Sequence, residues 1–271
     1  MNSQQSIGIF DSGIGGLTVA HAITEKLPHE NIIYFGDTAH LPYGDKSAET
    51  IQRYCLSIID FLLAQHCKVI VVACNSATAS AYEAMQDYLQ NRIPLIGVID
   101  PVINECIKKF PQKNLGLIGT KRTVESKVFE KKIQALAKDI KLKALATPLL
   151  VPIIEENFHS HEKLVDEALK LYLSQASLQN IDGLILACTH YPILKSRIAA
   201  FYEHKIPLLD AGEITANALA KQLEENGLLN PQVIQGQRDF FVSDLTPAFA
   251  QMANEFFGEK IVLTVTNLTG N

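Results

Sequence analysis

The sequence predicts an α/β chain of two similar lobes, each a mostly parallel sheet flanked by helices, with the active site in the cleft between them. Three observations carry that prediction. Ten short β-rich runs alternate with longer helical patterns, and several of the runs are apolar throughout, as in strands covered on both faces. The phrase VIVVACNSAT at 69–78 is echoed by GLILACTHYP at 183–192. A second echo, GIFDSGIGGLT near the start and NLGLIGTKRTV at 114–124, falls in the same order and points to a duplication.

The elements follow in turn. SIGIF (6–10) reads as a strand, and the loop after it carries Gly13, Gly15 and Gly16, which permit tight turns and close backbone approach to a ligand. That loop lacks the G-x-G-x-x-G spacing and the lysine of a nucleotide loop. NIIYF (31–35) is the next strand. HLPYGDKS (40–47) is a loop that ends in a helix cap at Asp45 or Ser47, ahead of a helix over 47–65. KVIVVA (68–73) leads to Cys74 and a helix over 76–90, and PLIGV (94–98) closes the first series.

Pro101 marks a crossing into the second series. This comprises NLGLI (114–118), a helix over 122–138, KLKAL (141–145), a helix over 161–176, DGLILA (182–187) and KIPLL (205–209). The DAGE turn at 210–213 marks the return, followed by a helix over 213–225 and strands DFFVS (239–243) and KIVLTV (260–265). One lobe is therefore expected at 1–98 plus 210–271, and the other at 99–209.

Composition narrows the class. The 271 residues are 47 % hydrophobic and 20 % charged, an ordinary globular balance. A net charge of −5 argues against a nucleic-acid partner, whose proteins usually show a basic balance. MNSQQSIGIF has neither a charged n-region nor a long apolar h-region, so no secretory signal is expected. No apolar stretch approaches the ~18 residues of a membrane span. Five scattered cysteines, an odd number, suit a reduced, cytoplasmic setting.

Cys74 and Cys188 each close an apolar run, where open α/β sheets bind ligands. A following helix N-terminus favours thiolate there. Either cysteine alone reads equally as a small buried hydrophobe; the duplicated setting is what points to chemistry. Two matched thiols suit racemisation, in which one group removes a proton from one face of a carbon and another delivers one to the opposite face. Cys55, Cys67 and Cys106 lack this setting and read as core or surface thiols.

Other residues have two uses each. Asp11 and Ser12 read as ligand-facing, with turn chemistry as the alternative. Tyr43 and Gly44 line a cleft or form an ordinary turn. Asn75, Ser76 and Thr78, with Thr189 and His190, either cap helices or hold an anion at a helix start. His190 also titrates near neutrality, two residues from Cys188. Cys188-x-His190 and His159-x-His161 are too sparse for a closed zinc site. No lysine stands in a Schiff-base context. Neither metal nor cofactor is expected.

FDSGIGGLT, PYG (42–44), ACNSAT (73–78), GTKRTVES (119–126) and ACTHYP (187–192), in this order, resemble the bacterial glutamate racemases. The resemblance covers essentially the whole chain. It implies a cofactor-independent enzyme of two α/β lobes that supplies D-glutamate for peptidoglycan. It implies that Cys74 and Cys188 are the acid/base pair, assisted by Asp11 and His190. It places Asp11, Ser12, Tyr43, Gly44, Asn75, Ser76, Thr189 and His190 at substrate contacts, with Thr120 and Thr123 in the second lobe and Glu155 as a helper. Cys188 would then deprotonate L-glutamate and Cys74 D-glutamate. The sequence departs from the family at Lys127 and Phe129, where Gly and Tyr are frequent, and at Ala211, where Ser is. The longer N-terminal extension of some precursor-activated members is missing, so activation by a cell-wall precursor is not expected. A homodimer is left open. The rival readings are an aspartate racemase or another cofactor-free carbon-acid enzyme, and a two-lobed protein that only binds small anions.

Overall fold

The computed structural model describes residues 2–268; residues 1 and 269–271 of the expected first lobe lie outside them. All ten runs form strands: β1 (Ile7–Asp11), β2 (Ile32–Gly36), β3 (Val69–Val72), β4 (Leu95–Gly97), β5 (Asn114–Gly119), β6 (Lys141–Ala146), β7 (Gly183–Ala187), β8 (Leu208–Asp210), β9 (Arg238–Val242) and β10 (Leu263–Val265). They build two sheets with the orders β10-β9-β2-β1-β3-β4 and β6-β5-β7-β8, and every pairing is parallel. Counted from the first strand of each, β2-β1-β3-β4 and β6-β5-β7-β8 are the same order. The echoes in the sequence are thus echoes in space, and β3 and β7 occupy equivalent places.

Eleven α-helices connect the described strands: α1 (Leu17–Lys26), α2 (Ala48–Ala64), α3 (Asn75–Leu89), α4 (Ile99–Lys109), α5 (Lys121–Ser126), α6 (Val128–Leu136), α7 (Leu150–Glu155), α8 (Glu162–Leu173), α9 (Lys195–Phe201), α10 (Ala211–Glu225) and α11 (Pro247–Phe257). Side chains alternate across a strand, and the core follows that period. Ile7, Ile9, Val69 and Val71 face a core that runs on into the second lobe, whereas Phe10, Ile70 and Val72 face α2 and α3. Both faces being apolar explains why these strands read as continuous hydrophobic runs.

Under the first sheet lies one buried ion pair. Lys68 Nζ stands 2.5 Å from Glu30 Oε2 and also donates to the carbonyls of Ser3 and Leu228. Glu30 Oε1 accepts from the Asn230 N–H at 2.7 Å. The pair staples the N-terminal segment, β3 and the chain after α10 together.

Two expectations are corrected. The helix expected over 122–138 breaks at Lys127, which adopts a left-handed φ of 54° between α5 and α6. A residue with a Cβ there costs roughly 1–2 kcal/mol, and the Ser126 hydroxyl, accepting from the Val128 N–H at 3.2 Å, supports the break. The chain after Cys188 does not enter an α-helix at once. Tyr191–Leu194 is a 3-10 turn with Pro192 near its start, and α9 begins only at Lys195. Proline fits a first turn but offers no N–H to a helix ladder.

Candidate active site

Parallel strands deliver their C-terminal ends to one edge of a sheet, and here the two edges face each other. Between them is a cavity of about 290 Å³, the size of a small metabolite. The first lobe lines it with Ser12, Tyr43, Gly44, Cys74, Asn75 and Ser76. The second contributes Thr120, Glu155, Cys188, Thr189 and His190. Asp11 and Thr123 do not reach it; both are buried behind the wall.

Cys74 sits directly after β3 and is itself the N-cap of α3, its Sγ accepting from the Ala77 N–H at 3.3 Å. Capping by Asn75, Ser76 or Thr78 is therefore not how this helix starts. The Cys74 thiol also donates to Ser12 Oγ at 3.5 Å. Burial pushes it up to about 12, the Asp11 carboxylate adds to the rise, and the Ser12 and Ala77 contacts oppose it. Near neutral pH Cys74 is a protonated thiol.

Cys188 has a different neighbour. His190 Nδ1 lies 3.7 Å from its sulfur, and His190 Nε2 lies 3.0 Å from Glu155 Oε1. Burial works against a charged imidazole, but its hydrogen bonds to Cys188 and Glu155 outweigh that and raise it to about 10. The partner of Cys188 is thus a cation. Phe256 of α11 packs edge-on against the same imidazole, with ring centroids 5.3 Å apart.

Asp11 stands at the end of β1, fully buried. Its Oδ2 accepts from the Gly13 N–H at 3.1 Å, and its Oδ1 has no partner among the described residues. Burial raises its pKa, against the pull of the His190 charge and of the Gly16 and Gly13 N–H groups. Its negative charge raises the Cys74 pKa, and the His190 charge favours its ionised form. Gly15 is needed here for space: a Cβ on it would stand 2.5 Å from His190 Cε1.

The remaining polar groups are arranged for a ligand. Asn75 is buried and both ends of its amide lack a partner among the described residues; an amide so placed offers one acceptor and two donors to the cavity. Ser76 Oγ lies 2.8 Å from Thr120 Oγ1, which lies 3.1 Å from Thr123 Oγ1, so a chain of hydroxyls bridges the lobes. Tyr43 gives its hydroxyl to Asp37 Oδ2 at 2.6 Å, and its ring serves as wall. Ser47, not Asp45, caps α2. His159 pairs with Glu255 at 2.7 Å, and among the described residues no group of three or more His, Cys, Asp or Glu is set to hold a metal. Thr147, Pro148, Val151 and Pro152 also line the cavity and were not anticipated. Thr147 follows β6 directly, so the strand-end logic that singled out Cys74 and Cys188 applies to it too.

Two equivalent α/β lobes that meet edge to edge over a cavity with a thiol from each define the class: residues 17–219 match the model of Asp/Glu/hydantoin racemases, and the chain belongs to that family. Within it the similarity is to glutamate racemases. That of Geobacter metallireducens is 41 % identical, over 95 % of this chain and 94 % of its own. The structure of the Francisella tularensis glutamate racemase with D-glutamate superposes with a TM-score of 0.90 at 35 % identity, covering 98 % of this chain and 99 % of that one. The Bacillus anthracis glutamate racemase gives 0.93 at 34 % identity with the same coverage.

Proposed function

We propose that this protein interconverts L- and D-glutamate by a two-thiol acid/base mechanism without a cofactor. The observation that carries the reading is the pair Cys74 and Cys188 on equivalent strand ends flanking one cavity, in unlike electrostatic settings. In the L-to-D direction the Cys188 thiolate, beside the His190 imidazolium, takes the α-proton. The Cys74 thiol gives its proton to the opposite face. Between these events the electron pair spreads onto the α-carboxylate. Donors preorganised around that group, the Asn75 amide and the Ser76, Thr120 and Thr189 hydroxyls, stabilise the growing charge. The D-to-L direction exchanges the two roles. Asp11 and Glu155 act through Cys74 and His190.

The physiological role of this reading is supply of D-glutamate for peptidoglycan, in the cytoplasm. No described helix is long and apolar enough to cross a membrane. The lobes are taken as 1–98 with 210–271 and as 99–209, and a homodimer as the assembly to test by sedimentation. The deciding experiment is polarimetry of L-glutamate and L-aspartate with purified, cofactor-free protein. Loss of rotation with glutamate and little with aspartate is expected. Comparable kcat/KM for both would shift the reading to a broader amino-acid racemase. Binding of glutamate without turnover would leave a small-anion binding protein.

A further inference from the structure

The loop over 41–47 supplies Tyr43 and Gly44 to the cavity wall. On its own lobe it is held by the Tyr43 ring, packed against Tyr54, and by Asp37, whose Oδ2 accepts from Tyr43 and whose Oδ1 accepts from Ser243 Oγ at 2.9 Å. Its far end is held from the other lobe. Arg122, on the first turn of α5, reaches across the mouth and donates from Nη2 to the Lys46 carbonyl at 2.7 Å. The neighbouring Nε is enclosed and has no acceptor among the described residues. The same guanidinium acts on the Glu49 carboxylate at the start of α2, among the weaker of the influences that lower its pKa. Close to this contact, a Cβ on Gly44 would meet Thr120 Cβ at 3.3 Å. The rim of the cavity is therefore clasped here by a charged donor on a main-chain acceptor. One lobe supplies the donor, and the other supplies a loop that touches the ligand space.

We propose that Arg122 is a positioning residue that clasps the 41–47 loop onto the second lobe and so sets how firmly the cavity holds its substrate. The geometry of the clasp stands by itself; its kinetic consequence rests on the glutamate reading above. Arg122 does not line the cavity, so its loss acts on the loop and not on proton transfer. A hydrogen bond from a charged donor is among the stronger kinds. Its removal lets the loop drift and weakens substrate and transition state alike, which raises KM and spares kcat.

The test compares Arg122→Ala and Arg122→Lys with the parent enzyme by hydrogen–deuterium exchange and by kinetics in both directions. For Arg122→Ala the expected result is about tenfold faster amide exchange within 41–47 and a KM raised about tenfold for each enantiomer. Its kcat should stay within about threefold of the parent. Arg122→Lys, which keeps a charged donor, should recover part of both effects. Unchanged exchange in 41–47 overturns the proposal, and so does a raised KM without it, which would mark Arg122 as a charge that only attracts substrate. Faster exchange that spreads to β3 and β7 overturns it too, as general loosening. If the parent enzyme itself does not racemise glutamate, the exchange measurement still decides the clasp, and only the glutamate reading falls.

Discussion

His190 Nδ1 lies 3.7 Å from Cys188 Sγ, whereas the residue in the matching place of the first lobe, Ser76, points its hydroxyl across the cleft, 2.8 Å from Thr120 Oγ1. The duplication is thus kept in the backbone and broken in the side chains. Cys74 has a helix N–H and a hydroxyl for company; Cys188 has an imidazole held by a carboxylate. A pair of thiols that must rest in opposite protonation states needs such a difference.

Each thiol should act on one face of the α-carbon. In deuterated water Cys188→Ala should slowly wash deuterium into D-glutamate only, and Cys74→Ala into L-glutamate only, with racemisation abolished in both. Exchange into both enantiomers by one variant would indicate a single base, and full racemase activity in either would remove the pair from the chemistry.

Alkylation should separate the two. Thiolate is the reacting species, and Cys74 is held up at about 12 by burial. At pH 7–8 iodoacetamide should therefore modify Cys188 first, read by peptide mass, and glutamate should protect both. Preferential labelling of Cys74 would reverse the assignment of resting states.

His190 ties stability to pH. Its folded pKa of about 10 lies above its ordinary 6.5, so its stabilising effect is complete below pH 6.5 and is lost as pH rises through about 10. The melting temperature of the parent relative to His190→Gln should thus narrow between pH 6.5 and 10. A gap that stays constant across this window would mean that the imidazole is neutral in the folded protein.

Gly15→Ala places a methyl group 2.5 Å from His190 Cε1. Forced repacking of this kind costs about 1–3 kcal/mol, and misplacing a catalytic group by an ångström costs about 10²-fold in rate. The variant should fold, with a modest fall in melting temperature, and lose roughly that factor in kcat. Parent-like activity would show that His190 has room to move without consequence.

Lys68→Met should leave turnover per folded molecule unchanged and destabilise the protein by about 3–5 kcal/mol, because Glu30 would remain buried without its cation. Urea unfolding followed by circular dichroism measures the loss. A shift below about 1 kcal/mol would mean that water reaches Glu30.

The exposed edge strands β6 and β10 were legible as short β-rich runs between helical patterns. The inner strands β1, β2, β3 and β7 and the position of both thiols were legible because a strand buried on both faces needs a largely apolar run. The end of such a run is also where an α/β sheet binds its ligand. The duplication was legible for the same reason. Lys127 shows where local reading stops: nothing in its own chemistry announces a left-handed turn, and the helical pattern continues across it. The 3-10 turn after Cys188 had a local sign in Pro192, which the likeness to the Cys74 phrase obscured.

By itself the sequence determined the α/β class, the repeated architecture, the two cysteines and about half of the cavity wall, since these depend on residues near each other in the chain. Only the tertiary structure decided what each group faces. It withdrew Asp11 from the cavity wall to a buried place where it interacts electrostatically with Cys74 and His190, brought Glu155 to within 3.0 Å of His190, and carried Arg122 across the cleft to Lys46. Those relations join residues 35 to 179 positions apart, from Glu155–His190 to Asp11–His190. Burial and charge pairing act through space, and no local pattern of residues encodes which distant group arrives.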